Sequence, residues 1–340
     1  SLSRHGWNVS LSRHGWNVSL SRNRTYPKNK EQITKMFFSI VIPTYNRKPI
    51  LEKCILALEK QVIPDTNLST GYEIIIVDDG STDDTISWLN ASSFPHVRYF
   101  EQAHQGPAIA RNLGVKKAKG DFIIFIDSDL VVTETFVQSH ANCLSNNDTR
   151  TFTYGRVINT ANFENPTAEP YKITDFSAAY FATGNVAIHR QWLEQAGLFD
   201  PQFQLYGWED LELGVRLKKL GLKLIKCPDA VGYHWHPAFN LDQIPKLIDQ
   251  EIQRGKMAVL FYQKHPTWDV KMMTQMTILH RLLWGILSLG GHLNEKTMRP
   301  LLQWLIDQGK SQLALEIARI FLNWYNVQAV YQQKQVMDVD

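Results

Sequence analysis

The sequence has few cysteines, little net charge and no long apolar run. Its three cysteines, Cys54, Cys143 and Cys227, are scattered through 340 residues and odd in number. That spacing is typical neither of a metal-binding cluster nor of a disulfide framework. We therefore expect no disulfides and a reducing, cytoplasmic compartment. A net charge of +3 is too small to indicate a nucleic-acid partner.

Membrane spans and two common nucleotide motifs are also missing from the sequence. The most apolar window, residues 282–289, is far shorter than the ~20 residues of a spanning helix. The amino terminus is polar, so no signal peptide is expected. No Gly-x-Gly-x-x-Gly follows the first predicted strand, and no Gly-x-x-x-x-Gly-Lys is present. Dinucleotide-binding and P-loop classes are therefore disfavoured.

A short sequence repeat opens the chain. Ser-Leu-Ser-Arg-His-Gly-Trp-Asn-Val occupies residues 1–9 and again 10–18, and Ser-Leu-Ser-Arg follows at 19–22. This period is below that of packed repeat architectures, and the segment is polar and basic. We expect residues 1–35 to be disordered, either as a basic arm or as an artefact upstream of a natural start at Met36.

Strands and helices alternate through the next part of the chain. Apolar runs predict strands at 38–42, 73–77, 97–100 and 122–126, and helical spacing predicts helices at 49–61, 83–89 and 106–118. This order predicts a parallel α/β sheet with right-handed crossovers. Beyond it we predict a helix at 133–144, strands at 151–160, 180–188 and 222–227, and a helix ending at Gly221. From residue 241 onward the pattern is helical.

Acidic residues follow two of the predicted strands directly. Asp78 and Asp79 end the second strand, and Asp127 and Asp129 end the fourth. Asp and Ser are also common in surface turns. Four carboxylates at the carboxyl edge of one sheet are nevertheless hard to explain as a solvated face, because ligands of open parallel sheets bind there. Paired carboxylates suit a hard divalent cation that also takes phosphate oxygens.

The motifs resemble the family 2 glycosyltransferases, which have the GT-A fold. The resemblance covers residues 37–240 and is carried by four segments in matching order: Ser-Ile-Val-Ile-Pro-Thr-Tyr-Asn-Arg at 39–47, Val-Asp-Asp-Gly-Ser at 77–81, Ala-Arg-Asn-Leu-Gly at 110–114 and Asp-Ser-Asp at 127–129. The later segments Gly-Trp-Glu-Asp at 207–210 and Tyr-His-Trp-His at 233–236 are similar to those of galactosyltransferases and chondroitin polymerases.

The resemblance implies a fold and a domain layout. We expect a Rossmann-like, mostly parallel GT-A sheet over residues 36–240, followed by a helical region over 241–340. The helical region is expected to contact the inner membrane face or to form a homodimer. Its amphipathic stripe is equally consistent with simple packing.

The resemblance also implies an activity and a donor site. The activity is inverting, metal-dependent transfer of a sugar from a nucleotide-diphosphate donor, usually a UDP-sugar, to a glycan or lipid-linked acceptor. By position in the motifs, the expected donor-binding residues are Pro43, Tyr45, Arg47, Asp78, Asp79, Arg111 and Asp127. The metal would be Mn²⁺ or Mg²⁺, held by Asp129 as the firmer ligand and by Asp127, with His234, which the family pattern favours, or His236. A histidine ligand would favour manganese.

The segment 207–210 supplies the candidates for catalysis. Asp210 is the expected general base and Glu209 the residue that orients the acceptor, although both would also be favourable charges at a helix amino terminus. That position lowers the pKa of a carboxyl group, so Asp210 would need a water-poor site to act as a base. Trp208, Gly184 and Asn185 are the expected acceptor contacts, Trp208 by stacking on a sugar ring. A tryptophan is otherwise a common core residue.

Two other classes of protein remain open at this stage. A glycan- or nucleotide-binding protein without turnover would be favoured by loss of Asp129 or Asp210, and both are present. A sugar nucleotidyltransferase would need a glycine-rich, basic loop after the first strand. Residues 43–47 are not such a loop.

Overall fold

The fold is seen in a computed structural model that describes residues 36–63, 69–172, 175, 177 and 179–337. The prediction of disorder for residues 1–35 lies outside these residues. No cis peptide bond occurs in the part of the chain described.

Four parallel strands form the first half of the sheet. In chain order the elements are β1 (Met36–Thr44), α1 (Lys48–Leu58), β2 (Ser69–Asp78), α2 (Thr85–Ala91), β3 (Val97–Glu101), α3 (Pro107–Lys117) and β4 (Phe122–Ile126). The spatial order is β3-β2-β1-β4, with every neighbouring pair parallel. Helices cover both faces, so Ile40 and Ile42 enter one apolar core while Val41 enters the other. That burial explains the continuous apolar runs.

The second half of the sheet is mixed rather than parallel. Its elements are β5 (Leu130–Val132), α4 (Phe136–Ser145), β6 (Thr151–Thr160), β7 (Asn185–His189), α5 (Arg190–Ala196), α6 (Glu209–Lys219) and β8 (Lys223–Trp235). The order continues β4-β7-β6-β8-β5, and only β6 and β8 are parallel. Strand β8 runs eight residues past the predicted end at 227, and this extension brings residues 233–235 back beside β5.

Helices follow the sheet, as the sequence predicts. They are α7 (Ile244–Lys264), α8 (Trp268–Met273), α9 (Ile278–Leu287), α10 (Arg299–Asp307) and α11 (Ser311–Met337). Helix α7 lies against α11 at Gly255, where a Cβ atom would come within 2.5 Å of the Asn326 carbonyl oxygen. The other side of α7 shares an apolar core with Phe203 and Trp208. Residues before and after position 240 are therefore packed together.

Helix α9 presents its apolar side to solvent. Ile278, Leu279 and Ile286 are each about 70% exposed, whereas Arg281 stacks on the Tyr331 ring of α11. This surface is where the expected homodimer or membrane contact would form, and both stay predictions. Among the described residues, no helix combines the length and apolar character needed to cross a membrane.

Two of the three cysteines form a disulfide, so the sequence-based expectation is wrong. Cys143 of α4 and Cys227 of β8 are bonded, while Cys54 is a buried free thiol. The error arose because the two residues are 84 positions apart and only the packing of α4 on β8 brings them together. The argument for a reducing compartment loses its basis.

Breaking this disulfide should lower stability. The bond closes a long loop, so its loss increases the freedom of the unfolded chain. We expect the Cys143→Ser variant to lose about 2–4 kcal/mol of unfolding free energy. Urea denaturation with and without reductant measures the loss. Cys54→Ser is not a suitable control because it buries a hydroxyl, so reductant on the Cys143→Ser variant serves instead and should change nothing.

Candidate active site

Asp129 lies in a group of three side chains that can bind a metal. Strand β8 pairs antiparallel with β5 and sets His234 opposite Leu130, while the Trp235 amide donates to the Asp129 carbonyl at 2.9 Å. His234 Nε2 is then 2.9 Å from Asp129 Oδ1, and His236 Nε2 is 3.1 Å from His234 Nδ1. One donor atom from each of the three lies within 4.8 Å of the others.

The donor set of this group suits a divalent transition metal. Asp129 is only 3% exposed, and its Oδ1 is a buried oxygen that no hydrogen-bond donor satisfies with proper geometry, despite the nearby imidazole. Burial opposes ionisation of Asp129, but its close contact with the His234 imidazole and the charges of His234 and Arg47 lower its pKa to about 2. A carboxylate and two imidazoles favour Mn²⁺ over Mg²⁺, which prefers oxygen ligands.

Both histidines have shifted pKa values. Burial lowers the pKa of His234, but its contact with Asp129 outweighs burial and raises the pKa above the ordinary value. Burial and the charge of His234 lower the pKa of His236 to about 4. His236 is therefore neutral near pH 7 and has a lone pair to offer as a ligand.

Asp127 lies outside the metal group and binds Arg111 instead. Arg111 of α3 is 4% exposed. Its Nη2 donates to Asp127 Oδ1 at 3.0 Å and its Nη1 donates to Glu209 Oε1 at 3.0 Å. The predicted strand-end carboxylates and the predicted 209–210 pair are thus joined by one guanidinium. Arg111 and Glu209 bind each other. This contact favours a structural role for both residues over the predicted contacts of Arg111 with the nucleotide and of Glu209 with the acceptor.

Asp210 has a raised pKa. It is the second residue of α6 and is partly exposed. Burial and the charge of Glu209 raise the pKa of Asp210 to about 7, against an opposing effect of Arg111. The sequence-based expectation of a lowered pKa is therefore wrong, because desolvation and the neighbouring carboxylate exceed the effect of the helix terminus.

The carboxyl edge of β1 and β2 contains unsatisfied polar atoms. Thr44 pairs with Asp78 in the parallel register, and Thr44 Oγ1 and Asp78 Oδ2 are both buried without a hydrogen-bond partner. The other Asp78 oxygen accepts from the amides of Gly80 and Ser81, at 3.0 and 2.7 Å. Two polar atoms at this edge are therefore buried unsatisfied, at a cost in free energy.

The remaining donor-site candidates differ in availability. Both oxygens of Asp79 accept hydrogen bonds from the loop that follows β3. The donors are Gln102 Nε2, the Gln105 amide and the Gly106 amide. Asp79 therefore shapes the loop around the site. Tyr45 is 41% exposed and stacks on the His104 ring, and Pro43 beside it is half-buried. Arg47, whose Nη1 donates to Asp129 Oδ2, keeps 44% of its side chain exposed.

The predicted acceptor contacts do not line an open surface. Trp208 is 5% exposed and packs in the core shared with α7, so its ring is not available for stacking on a sugar. Asn185 is fully buried. Its side-chain oxygen lies 2.9 Å from His140 Nε2, and its side-chain nitrogen donates to the Ala230 carbonyl at 2.9 Å. Gly184 lies against the site, because a Cβ there would be 3.4 Å from Asp127 Oδ2.

Asn46 is a site-shaping residue that the sequence-based prediction missed. It adopts φ 52°, and its Oδ1 accepts from the amides of Thr82 and Asp83 at 2.7 and 3.2 Å. Its own amide donates to Ser81 Oγ at 2.8 Å. Asn46 therefore fastens the loop after β1 to the loop after β2. The available signal was its residue type, since asparagine tolerates a left-handed backbone.

Comparison with known proteins finds similarity to glycosyltransferases. The profile of glycosyl transferase family 2 matches residues 39–196, and that of the N-terminal domain of galactosyltransferase matches residues 166–237. A chondroitin synthase of Pasteurella multocida is 28% identical over 279 residues, which are 68% of this chain and 28% of that protein. The glycosyltransferase YfnE of Bacillus subtilis is 26% identical over 260 residues, 59% of this chain and 65% of that protein.

A solved structure supports the fold over almost the whole length. A mannosyltransferase from Pyrobaculum calidifontis, in complex with GDP-Man and Mn²⁺, superposes with a TM-score of 0.55 at 18% identity, covering 96% of this chain and 92% of that one. The chain spans about a quarter of the length of the chondroitin synthase it matches. Its fold is that of the GT-A glycosyltransferases, and over residues 39–237 it is similar first to family 2 glycosyltransferases and then to galactosyltransferases.

Proposed function

We propose that this glycosyltransferase moves a sugar from a UDP-sugar to a hydroxyl of a glycan or lipid-linked acceptor, with inversion and with Mn²⁺ as the first metal to test. The observation that carries the proposal is that Arg111 connects the three-residue metal-binding group's strand end to the start of α6. Asp129, His234 and His236 form one cluster, and Arg111 connects the same strand end to the start of α6, where Asp210 lies.

The donor would bind along the carboxyl edge of β1, β2 and β4. Tyr45, which is 41% exposed, and the strand ends that carry Thr44 and Asp78 would receive the nucleoside. Arg47 is already in the group of Asp129 and partly exposed, so its guanidinium is suited to a phosphate oxygen. Asp129 and the histidines would hold the ion, which when bound would stabilise the negative charge of the leaving diphosphate as a Lewis acid.

The transfer step needs one base and one displacement. Asp210 takes the proton of the acceptor hydroxyl while that oxygen bonds to the anomeric carbon. The bond from this carbon to the diphosphate oxygen breaks, and UDP leaves with the electron pair. A pKa of about 7 leaves Asp210 partly ionised at neutral pH and basic enough to accept the proton as the new bond forms.

Calorimetric titration tests the donor class. UDP, GDP and several UDP-sugars are titrated with Mn²⁺ and again with EDTA. We expect UDP and UDP-sugars to bind in the presence of Mn²⁺ and to lose most of their affinity in EDTA. Preference for GDP would contradict the UDP assignment. No nucleotide binding in any condition would instead favour a protein of this fold without turnover.

A further inference from the structure

The turn that precedes the candidate base is strained and must be held from outside. Gly207 has φ 96° and Trp208 has φ 75°, so two successive residues are left-handed immediately before Glu209 and Asp210. A tryptophan adopts that conformation only where its surroundings enforce it. The position of Asp210 therefore depends on what fixes this turn.

Helix α7 supplies the contacts that fix the turn. Trp208 Nε1 donates to the Arg254 carbonyl at 2.8 Å, and the Arg254 guanidinium lies 4.9 Å from the centre of the indole ring. The Tyr206 amide donates to Gln253 Oε1 at 3.1 Å. The Arg254 side chain also covers Gly207, since a Cβ there would lie 3.3 Å from Arg254 Cγ.

A second contact fixes α6 at Glu212, one helical turn after Trp208. Glu212 is 2% exposed, and its Oε1 is 2.8 Å from Nε2 of His265, the C-cap residue that follows α7. Arg216 donates to the same carboxylate through Nε and Nη2. Lys219 Nζ is 3.0 Å from His265 Nδ1. An ammonium group only donates, so Nδ1 accepts and Nε2–H donates, and His265 is a neutral bridge.

We infer that α7 with its terminal His265 is a positioning element of the transferase site, and that His265 and Trp208 are positioning residues for Asp210. Neither family profile extends to α7, since the second ends at residue 237. The inference rests on the proposed role of Asp210. Helix α7 therefore has a positioning role in the site, although the sequence pattern places it in a separate helical region.

Variants of His265 separate positioning from simple stability. His265→Ala removes the bridge, whereas His265→Gln keeps one donor and one acceptor. We expect His265→Ala to lower kcat on the order of 10-fold, as a displaced catalytic group does, with UDP affinity unchanged. His265→Gln should recover most of the rate. Lys256→Ala, at an exposed position on the same helix, is the matched control and should behave like wild type.

Two readouts keep this test distinct from that of the proposed function. UDP release from UDP-sugars gives kcat and KM, and hydrogen exchange of the amides of residues 206–212 reports on the turn without requiring activity. Faster exchange in His265→Ala with a fall in kcat alone supports the inference. An unchanged kcat, or equal losses in His265→Ala and Lys256→Ala, overturns it. A wild-type protein without UDP release contradicts the proposed function, and unchanged exchange in His265→Ala then still overturns the anchoring.

Discussion

Replacing Asp210 by asparagine should reduce turnover by on the order of 10²–10⁴-fold while UDP affinity stays within about twofold of wild type. The asparagine amide has nearly the same shape, but it cannot act as a base for the hydroxyl proton of the acceptor substrate. The donor groups around Asp129 and Thr44 do not include Asp210, so donor binding should persist. Steady-state UDP release and calorimetric UDP binding measure the two effects. Asp229→Asn, an exposed carboxylate on β8, is the control.

The pH dependence of the same two proteins sharpens the assignment. Because burial and Glu209 raise the pKa of Asp210 to about 7, the ionised, basic form accumulates as pH rises through 7. The wild-type kcat should therefore rise with pH and level off above it. The residual rate of Asp210→Asn should lack that acidic limb. A limb that persists in the variant would assign the titration to another group and contradict the role of Asp210.

The raised pKa also has a consequence for stability. A carboxyl group whose pKa is higher in the folded state contributes stability that is complete below its unfolded pKa of ~3.9 and is lost as pH rises through 7. Asparagine does not titrate, so it avoids this loss. We expect the melting temperature of Asp210→Asn, relative to wild type, to be higher at about pH 8 than at about pH 5. A less active but more stable variant is typical of a catalytic group held at a cost in stability.

The parallel half of the fold was predictable because its signals are local. The apolar run 122–126 is buried on both faces, so this strand is continuous and ends visibly at an acidic pair. The second half was less predictable for the opposite reason. Strand β8 contains Pro228, Asp229 and Gly232, which are typical of turns. Its pairing with β5 and β6 overrides those local preferences.

Residue types indicated the site, but contacts decided what each residue can do. Asp127 and Asp129 flank one serine at the same strand end, yet one faces Arg111 and the other faces His234. Trp208 was expected to stack on a sugar ring and Asn185 to contact the acceptor, yet both are buried. Their burial depends on α7 and on the meeting of β6 with β7, which are distant in sequence. The pairing of Cys143 with Cys227 was invisible for the same reason.

Replacing Asp129 by alanine should abolish the effect of metal on donor binding. The side chain supplies the one carboxylate of the three-residue group, and its loss leaves Arg47 and His234 without their anionic partner. A Lewis acid contributes several kcal/mol to such a transition state, so turnover should fall by at least about 100-fold. UDP should bind the variant equally weakly with Mn²⁺ and with EDTA. Calorimetry with Mn²⁺ alone, and then with UDP, measures the loss.

Matched variants make the Asp129 result specific to the metal. Asp121→Ala removes an exposed carboxylate just before the same strand and should retain metal-dependent binding. His234→Ala should weaken Mn²⁺ binding more than His236→Ala, because only His234 contacts Asp129 directly. The reverse order would make His236 the principal imidazole ligand. Normal turnover of Asp129→Ala, with an undiminished response to EDTA, would contradict the assignment of the metal to this strand end. It would also contradict the proposed binding site of the diphosphate.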